Sequence, residues 1–256
     1  MEQEKYQFPT EEVTLPSKGL LYDEGNPLSS GKVKMKYMTA REEDILTNQN
    51  LINNGTVIDK LLQSLIVDSI DFNSLLVGDK NALLVASRIL GYGSDYIVNV
   101  NNPSTNEEES ITIDLTGAED KELDESLVKE GKNEFEFILP STKTLITFKF
   151  LSHGDDQKIQ KELKGYKKIN KNSSPDLTTR MKHLIQSVDG DYEQKTIREF
   201  VDLRLLARDA RALREYVREI MPDINLSFDI EFSNGHIQEG VIVPIGVGFF
   251  WPDASV

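Results

Sequence analysis

Apolar positions between residues 38 and 66 recur at helical spacing. Thr39 and Glu42 stand at the capping-box interval, ahead of Ile45, Leu46, Leu51 and Ile52. Asn54-Gly55 supplies a left-handed stop, and Thr56 and Asp59 restart the pattern. Ile58, Leu61, Leu62, Leu65 and Ile66 then form a second apolar face. The pattern predicts two short one-faced helices. Each must cover its apolar side, and a preceding β-hairpin and a helix around 83–90 are the expected partners.

Upstream, residues 1–12 are polar and read as loose. Pro16 keeps 13–19 out of helix and Gly19 turns it, so VTLPSKG reads as a short extended arm. Residues 20–22 and 33–37 look like strands of one hairpin. In the second of them Val33, Met35 and Tyr37 share one face, and Lys32, Lys34 and Lys36 share the other, a charged outer row that discourages edge pairing. Downstream, Asp79 stands where an N-cap would, before a helix ending near Gly91. From Tyr96 the period changes to two. Tyr96, Val98 and Val100 alternate, then Ile111, Ile113 and Leu115, across a long polar tip. Phe135, Phe137 and Leu139 with Ile146, Phe148 and Phe150 predict a second strand pair. Residues 155–168 carry a weak amphipathic pattern, 169–176 (INKNSSPD) reads as a loop, and 177–188 reads as a helix. Thr196 and Glu199 suggest a capped helix, Asp209 starts another that Pro222 stops, and 226–249 close as a hairpin. The expected class is α+β in three parts: an N-terminal arm, hairpin and helices over 1–95, a compact antiparallel β unit over 96–151, and a helical part ending in a β-hairpin over 152–256.

The chain of 256 residues carries a net charge of -14, which disfavours nucleic-acid backbones and anionic membrane faces as partners. Ten acids against two lysines between Glu107 and Glu130 supply more than half of that excess, so most of this stretch must be solvated. With no cysteine, disulfides, thiolate catalysis and cysteine metal sites are excluded. No run has signal-peptide or membrane-span character, and a soluble product made in the host cytoplasm is expected.

Chemistry is sparse. His153, His183 and His236 have no ligand partner at metal spacing. Gly91-Tyr92-Gly93-Ser94 displaces its serine from a nucleophile elbow, and Gly246-Val247-Gly248 does not complete a dinucleotide loop. Asp189, Asp191 and Glu193 suggest a calcium loop, but Gln194 and Phe200 stand where glycine and glutamate are needed, so a solvated turn fits better. No enzyme, cofactor, metal or small-molecule substrate is expected. Arg204, Arg208, Arg211 and Arg218 fall on nearly one helical stripe. They read either as a docking face for an acidic partner or as a surface paired with Asp202, Asp209, Glu215 and Glu219. Phe249, Phe250 and Trp251 read either as core or as a partner contact.

Five stretches in order carry a resemblance: LPSKGLLY (15–22), YMTAREEDILTNQNLINNGTVIDKLL (37–62), VGDKNALLVASRILGYGSDY (77–96), DARALREYVREIMPDI (209–224) and FFWPD (249–253). Together they resemble the baseplate hub assembly proteins of T-even-like contractile-tailed bacteriophages, over about 13–253. The resemblance implies a protein of the virion's tail baseplate that binds other baseplate and hub proteins. It is either a structural subunit or a transient assembly chaperone absent from finished particles; a tail-associated cell-wall hydrolase is a remote third reading. In strand-addition terms the arm, with Leu15, Pro16, Ser17, Gly19 and Tyr22, is a candidate partner-binding element. The resemblance also implies cysteine pairs in relatives at two hairpin tips, as in a split zinc ribbon. The matching tips here, 101–105 and 232–235, lack cysteine. If the hairpins still pair, Tyr96, Val98, Ile111 and Ile113 must pack against Phe228, Ile230 and Phe232.

Overall fold

The computed structural model describes residues 9–121, 123–129, 131–169 and 175–250. The α+β class holds, with eight helices and five small antiparallel sheets among the described residues. Strand β1 (Thr10–Thr14) pairs with β2 (Lys32–Lys36), Val13 opposite Val33. Val33 and Met35 are fully buried while Lys32 and Lys34 stay outside, as the alternation requires. The strand opposite β2 is therefore β1 and not 20–22. Residues 15–22 are instead a chain of tight turns folded inward, with Lys18 and Gly19 at φ 52° and 80°. A Cβ on Gly19 would lie 2.3 Å from the Ser29 carbonyl, so glycine lets these two turns touch.

The helical unit is three helices, not two: α1 (Ala40–Leu46), α2 (Gln49–Asn54) and α3 (Val57–Leu65). The α1 capping box forms, Glu42 Oε2 accepting from Thr39 N–H (3.0 Å) and Thr39 Oγ1 (2.6 Å). Asn48 breaks the pattern because its side chain caps Asn50 and Leu51 N–H at 3.1 and 3.2 Å, opening a new helix. Helix α4 (Val77–Tyr92) starts one turn earlier than its pattern suggests. Its start lies against Pro222, and a Cβ on Gly78 would come within 1.8 Å of the Pro222 carbonyl.

The predicted hairpin forms from β3 (Asp95–Asn101) and β4 (Glu108–Asp114), with Tyr96 opposite Ile113. The rest of the middle does not close on itself. Strand β5 (Glu119–Asp120) pairs with β9 (Ile224–Asn225). Strands β6 (Phe135–Ile138) and β7 (Leu145–Phe148) are joined by β8 (Ile185–Val188), so the separate β unit over 96–151 gives way to shared sheets. Residues 185–188, read as helix, leave α6 (Asp176–Leu184) because β7 has a free edge there and Ile185, Ser187 and Val188 can be buried on it. The predicted loop at 169–176 lies mostly outside the described residues. Helices α5 (His153–Ile169), α7 (Gln194–Leu203) and α8 (Ala207–Ile220) follow, then β10 (Ser227–Glu231) and β11 (Ile237–Ile242). One apolar cluster runs from Leu15 through Met35, Leu83, Phe148 and Leu213 to Phe250.

Candidate functional site

The structure turns the predicted arm into core. Leu15 and Ser17 are 0% exposed, Pro16 and Gly19 are buried, and Tyr22 is 5% exposed. All five are spent on this chain's own packing, so a donor strand presented to a neighbour is corrected to an internal clasp. The clasp closes on Asp79, third residue of α4, whose side chain turns away from its own helix. Its carboxylate accepts from Ser17 N–H (2.9 Å), Ser17 Oγ (2.7 Å) and Tyr22 Oη (2.5 Å). Tyr22 Oη in turn accepts from Leu76 N–H at 3.0 Å. Burial pushes the Asp79 carboxyl above its ordinary range, with the Tyr22 and Ser17 donors acting against that rise. Burial likewise pushes the Tyr22 phenol upward, and the Asp79 charge adds to it.

Asp209 repeats the device. It is the third residue of α8, fully buried, and accepts from the backbone N–H of Ser141 (2.8 Å) and Thr142 (3.1 Å). It therefore ties α8 to the β6–β7 turn instead of capping its own helix.

The terminal aromatics are core as well. Phe249 and Phe250 are 1% and 0% exposed, so of their two readings the structure has them in the core and not at a partner contact. Phe249 lies 5.1 Å from the Tyr96 ring, and its carbonyl accepts from the buried Arg88 Nε at 3.2 Å. Trp251 lies outside the described residues.

The two hairpins sit side by side, held at their tips by hydrogen bonds. Glu109 Oε1 accepts from Asn102 Nδ2 (2.7 Å) and Glu109 Oε2 from Ser233 N–H (2.9 Å). Asn102 is fully buried, and Ile230 and Phe232 are each 2% exposed beneath. The tips do not fit a zinc ion: their donors are an amide, a carboxylate and a backbone N–H already satisfied by one another. No group of three His, Asp or Glu converges for a metal among the described residues.

What remains outward is the α8 face. Arg208, Arg211 and Arg218 are exposed on α8; Arg204, also exposed, is the C-cap of α7, so the expected single helical stripe is broken before α8 begins. Arg211 Nε pairs with Glu215 at 2.7 Å and holds its carboxyl below the usual range, with Arg218 and Arg214 adding to the effect. The other proposed pairs do not form. Asp202 is held by Lys182 (2.7 Å) and Asp209 is buried, while Arg204 lies over the Phe200 ring at 5.6 Å. Arg204, Arg208 and Arg218 make no ion pair among the described residues. Leu203 and Leu206, exposed by 81% and 51%, flank Arg204 at the junction of α7 and α8. Between α6 and α8 runs an apolar groove of about 350 Å³, lined by Leu177, Met181, Leu184, Val217 and Met221 and rimmed by Asp176, Arg180, Arg214 and Arg218. Arg214 was legible as part of the same stripe, three residues beyond Arg211. Arg180 was not, because only the fold brings α6 beside α8.

Taken together, the buried polar groups hold the fold, and the exposed arginines and leucines stay on the surface. The family model described as T4 bacteriophage base plate protein matches residues 9–250, and the chain belongs to that family. It is thereby a structural protein of the phage tail baseplate. No curated protein and no solved structure matches it.

Proposed function

We propose that the chain is a subunit of the baseplate hub, holding other baseplate subunits in place during tail assembly and acting by binding, without catalysis. The family match across 9–250 carries this reading. The hub assignment is supported by the five ordered stretches from 15–22 to 249–253, which resemble hub assembly proteins. The exposed arginine and leucine face of α8 supplies the kind of surface such a role needs.

Quantitative mass spectrometry of purified baseplates, hub intermediates and finished particles tests it. Stoichiometric peptides in all three support a permanent hub subunit. Peptides confined to intermediates replace that reading with a transient assembly chaperone. Peptides found only in wedge fractions, or in none, refute the hub assignment.

A further inference from the structure

The groove between α6 and α8 has a chemistry of its own. Its floor is aliphatic and thioether: Leu177, Met181, Leu184, Val217 and Met221. Its volume, about 350 Å³, is roughly twice the ~150 Å³ that holds a benzene in an engineered apolar cavity. It therefore has room for two large apolar side chains. Methionines on two sides give it walls that adapt to shape.

The rim carries the opposite sign to the chain as a whole. Arg180 is already engaged by Asp156 and Asp176, each at 3.2 Å. Arg214 uses Nε on its own helix, donating to the Ala210 carbonyl at 3.2 Å, and makes no ion pair among the described residues. Arg218 makes none there either. Glu215, whose carboxyl both Arg214 and Arg218 help hold low, makes its ion pair with Arg211. Of the rim charges Asp176 is paired with Arg180, which leaves Arg214 and Arg218 with no ion pair among the described residues and the rim net positive, on a protein whose net charge is -14. Arg208 and Arg211 extend the same stripe toward the start of α8.

We infer that this groove receives an acidic amphipathic helix from a neighbouring baseplate subunit. Its leucine-sized residues enter between α6 and α8, and its carboxylates pair with Arg214 and Arg218. A helix fits and an added strand does not. Both walls are helices whose backbone groups are internally bonded, so an extended segment would find no ladder partners there. Arginine also favours carboxylates through its forked, two-point geometry. The inference rests on the proposed subunit-binding role and specifies the partner's chemistry.

Fluorescence anisotropy with two labelled synthetic helices tests it. Both carry leucine at positions i, i+3, i+4 and i+7; one is flanked by glutamates, the other by lysines. The glutamate helix should bind at least about tenfold more tightly than the lysine helix, and more weakly as salt rises. The Arg214→Glu/Arg218→Glu protein should lose at least about tenfold for the glutamate helix and gain for the lysine helix, with an unchanged circular dichroism spectrum. Leu177→Asp should also weaken binding. Equal binding of the two helices, no saturable binding, or indifference to these variants overturns the inference. The same double variant carried into phage separates the two claims. If it enters baseplates at wild-type stoichiometry, the groove is not a docking site although the hub role stands. If the wild-type chain itself is missing from baseplates, the hub role fails first.

Discussion

Tyr22→Phe isolates the clasp that replaced the expected arm. The substitution keeps the ring and leaves no cavity, since Tyr22 is 5% exposed and only its hydroxyl is removed. Two bonds go with it. Asp79 loses its 2.5 Å donor, and Leu76 N–H loses its acceptor at 3.0 Å in a buried setting. A hydrogen bond to a charged group contributes roughly 1.5–3 kcal/mol, and an orphaned buried N–H costs about 1–3 kcal/mol. Relaxation recovers part of this, so a net loss of about 3 kcal/mol is expected near neutral pH. Urea unfolding followed by far-ultraviolet circular dichroism should show a lower midpoint with an unchanged slope. The pH dependence has a definite sign. Asp79 has a raised folded-state pKa, so its burial costs nothing where the unfolded carboxyl is protonated and costs more as pH rises through the folded value. Removing the Tyr22 donor raises that value further. The deficit must then shrink as pH falls toward about 4, the ordinary aspartate range. A loss under about 0.5 kcal/mol, or one that grows on acidification, would refute the idea that these donors favour the ionised form of Asp79 against its burial.

Three further outcomes follow from the packing. Phe249→Ala should lower stability by about 3–5 kcal/mol in the same urea assay, as for a core aromatic truncation; a stable protein that fails only in binding would return Phe249 to the surface. Gly78→Ala forces a Cβ to within 1.8 Å of the Pro222 carbonyl, so it should destabilise the chain far more than Gly55→Ala, where nothing lies within 4 Å although φ is +70°. Comparing the two melting temperatures decides whether close approach or backbone conformation dominates. Arg208→Ala should move stability by less than about 0.5 kcal/mol, because the side chain is exposed and makes no ion pair among the described residues. A larger shift would show that the stripe is structural.

Local chemistry was legible in the sequence wherever it stayed local. The Thr39–Glu42 box, the alternation of β2 and the hairpin that follows Tyr96 need only near neighbours, and they stand where the pattern puts them. The misreadings share one cause, a side chain satisfied by a distant segment. An aspartate at a helix start looks the same whether it caps that helix or reaches elsewhere. Asp79 and Asp209 both reach elsewhere, to residues 62 and 68 positions away in chain order. Residues 185–188 have helix-compatible spacing, and only the free edge of β7 draws them into a sheet. In LPSKG, proline and glycine announce a turn, but nothing local says that Ser17 turns inward. The arginines were visible, whereas the diversion of Asp202 to Lys182 and of Asp209 to the β6–β7 turn depends on the fold.

The pairing of β5 with β9 and of β7 with β8, and the Arg88–Phe249 bond, have a consequence for synthesis on the ribosome. The first and last of these join residues 119–120 and 88 to partners translated more than a hundred residues later, so β5 and Arg88 emerge long before what they bind. Native structure must wait until residue 249 leaves the exit tunnel. A prematurely terminated product would then offer open sheet edges to host proteases and no finished α8 face to the growing tail.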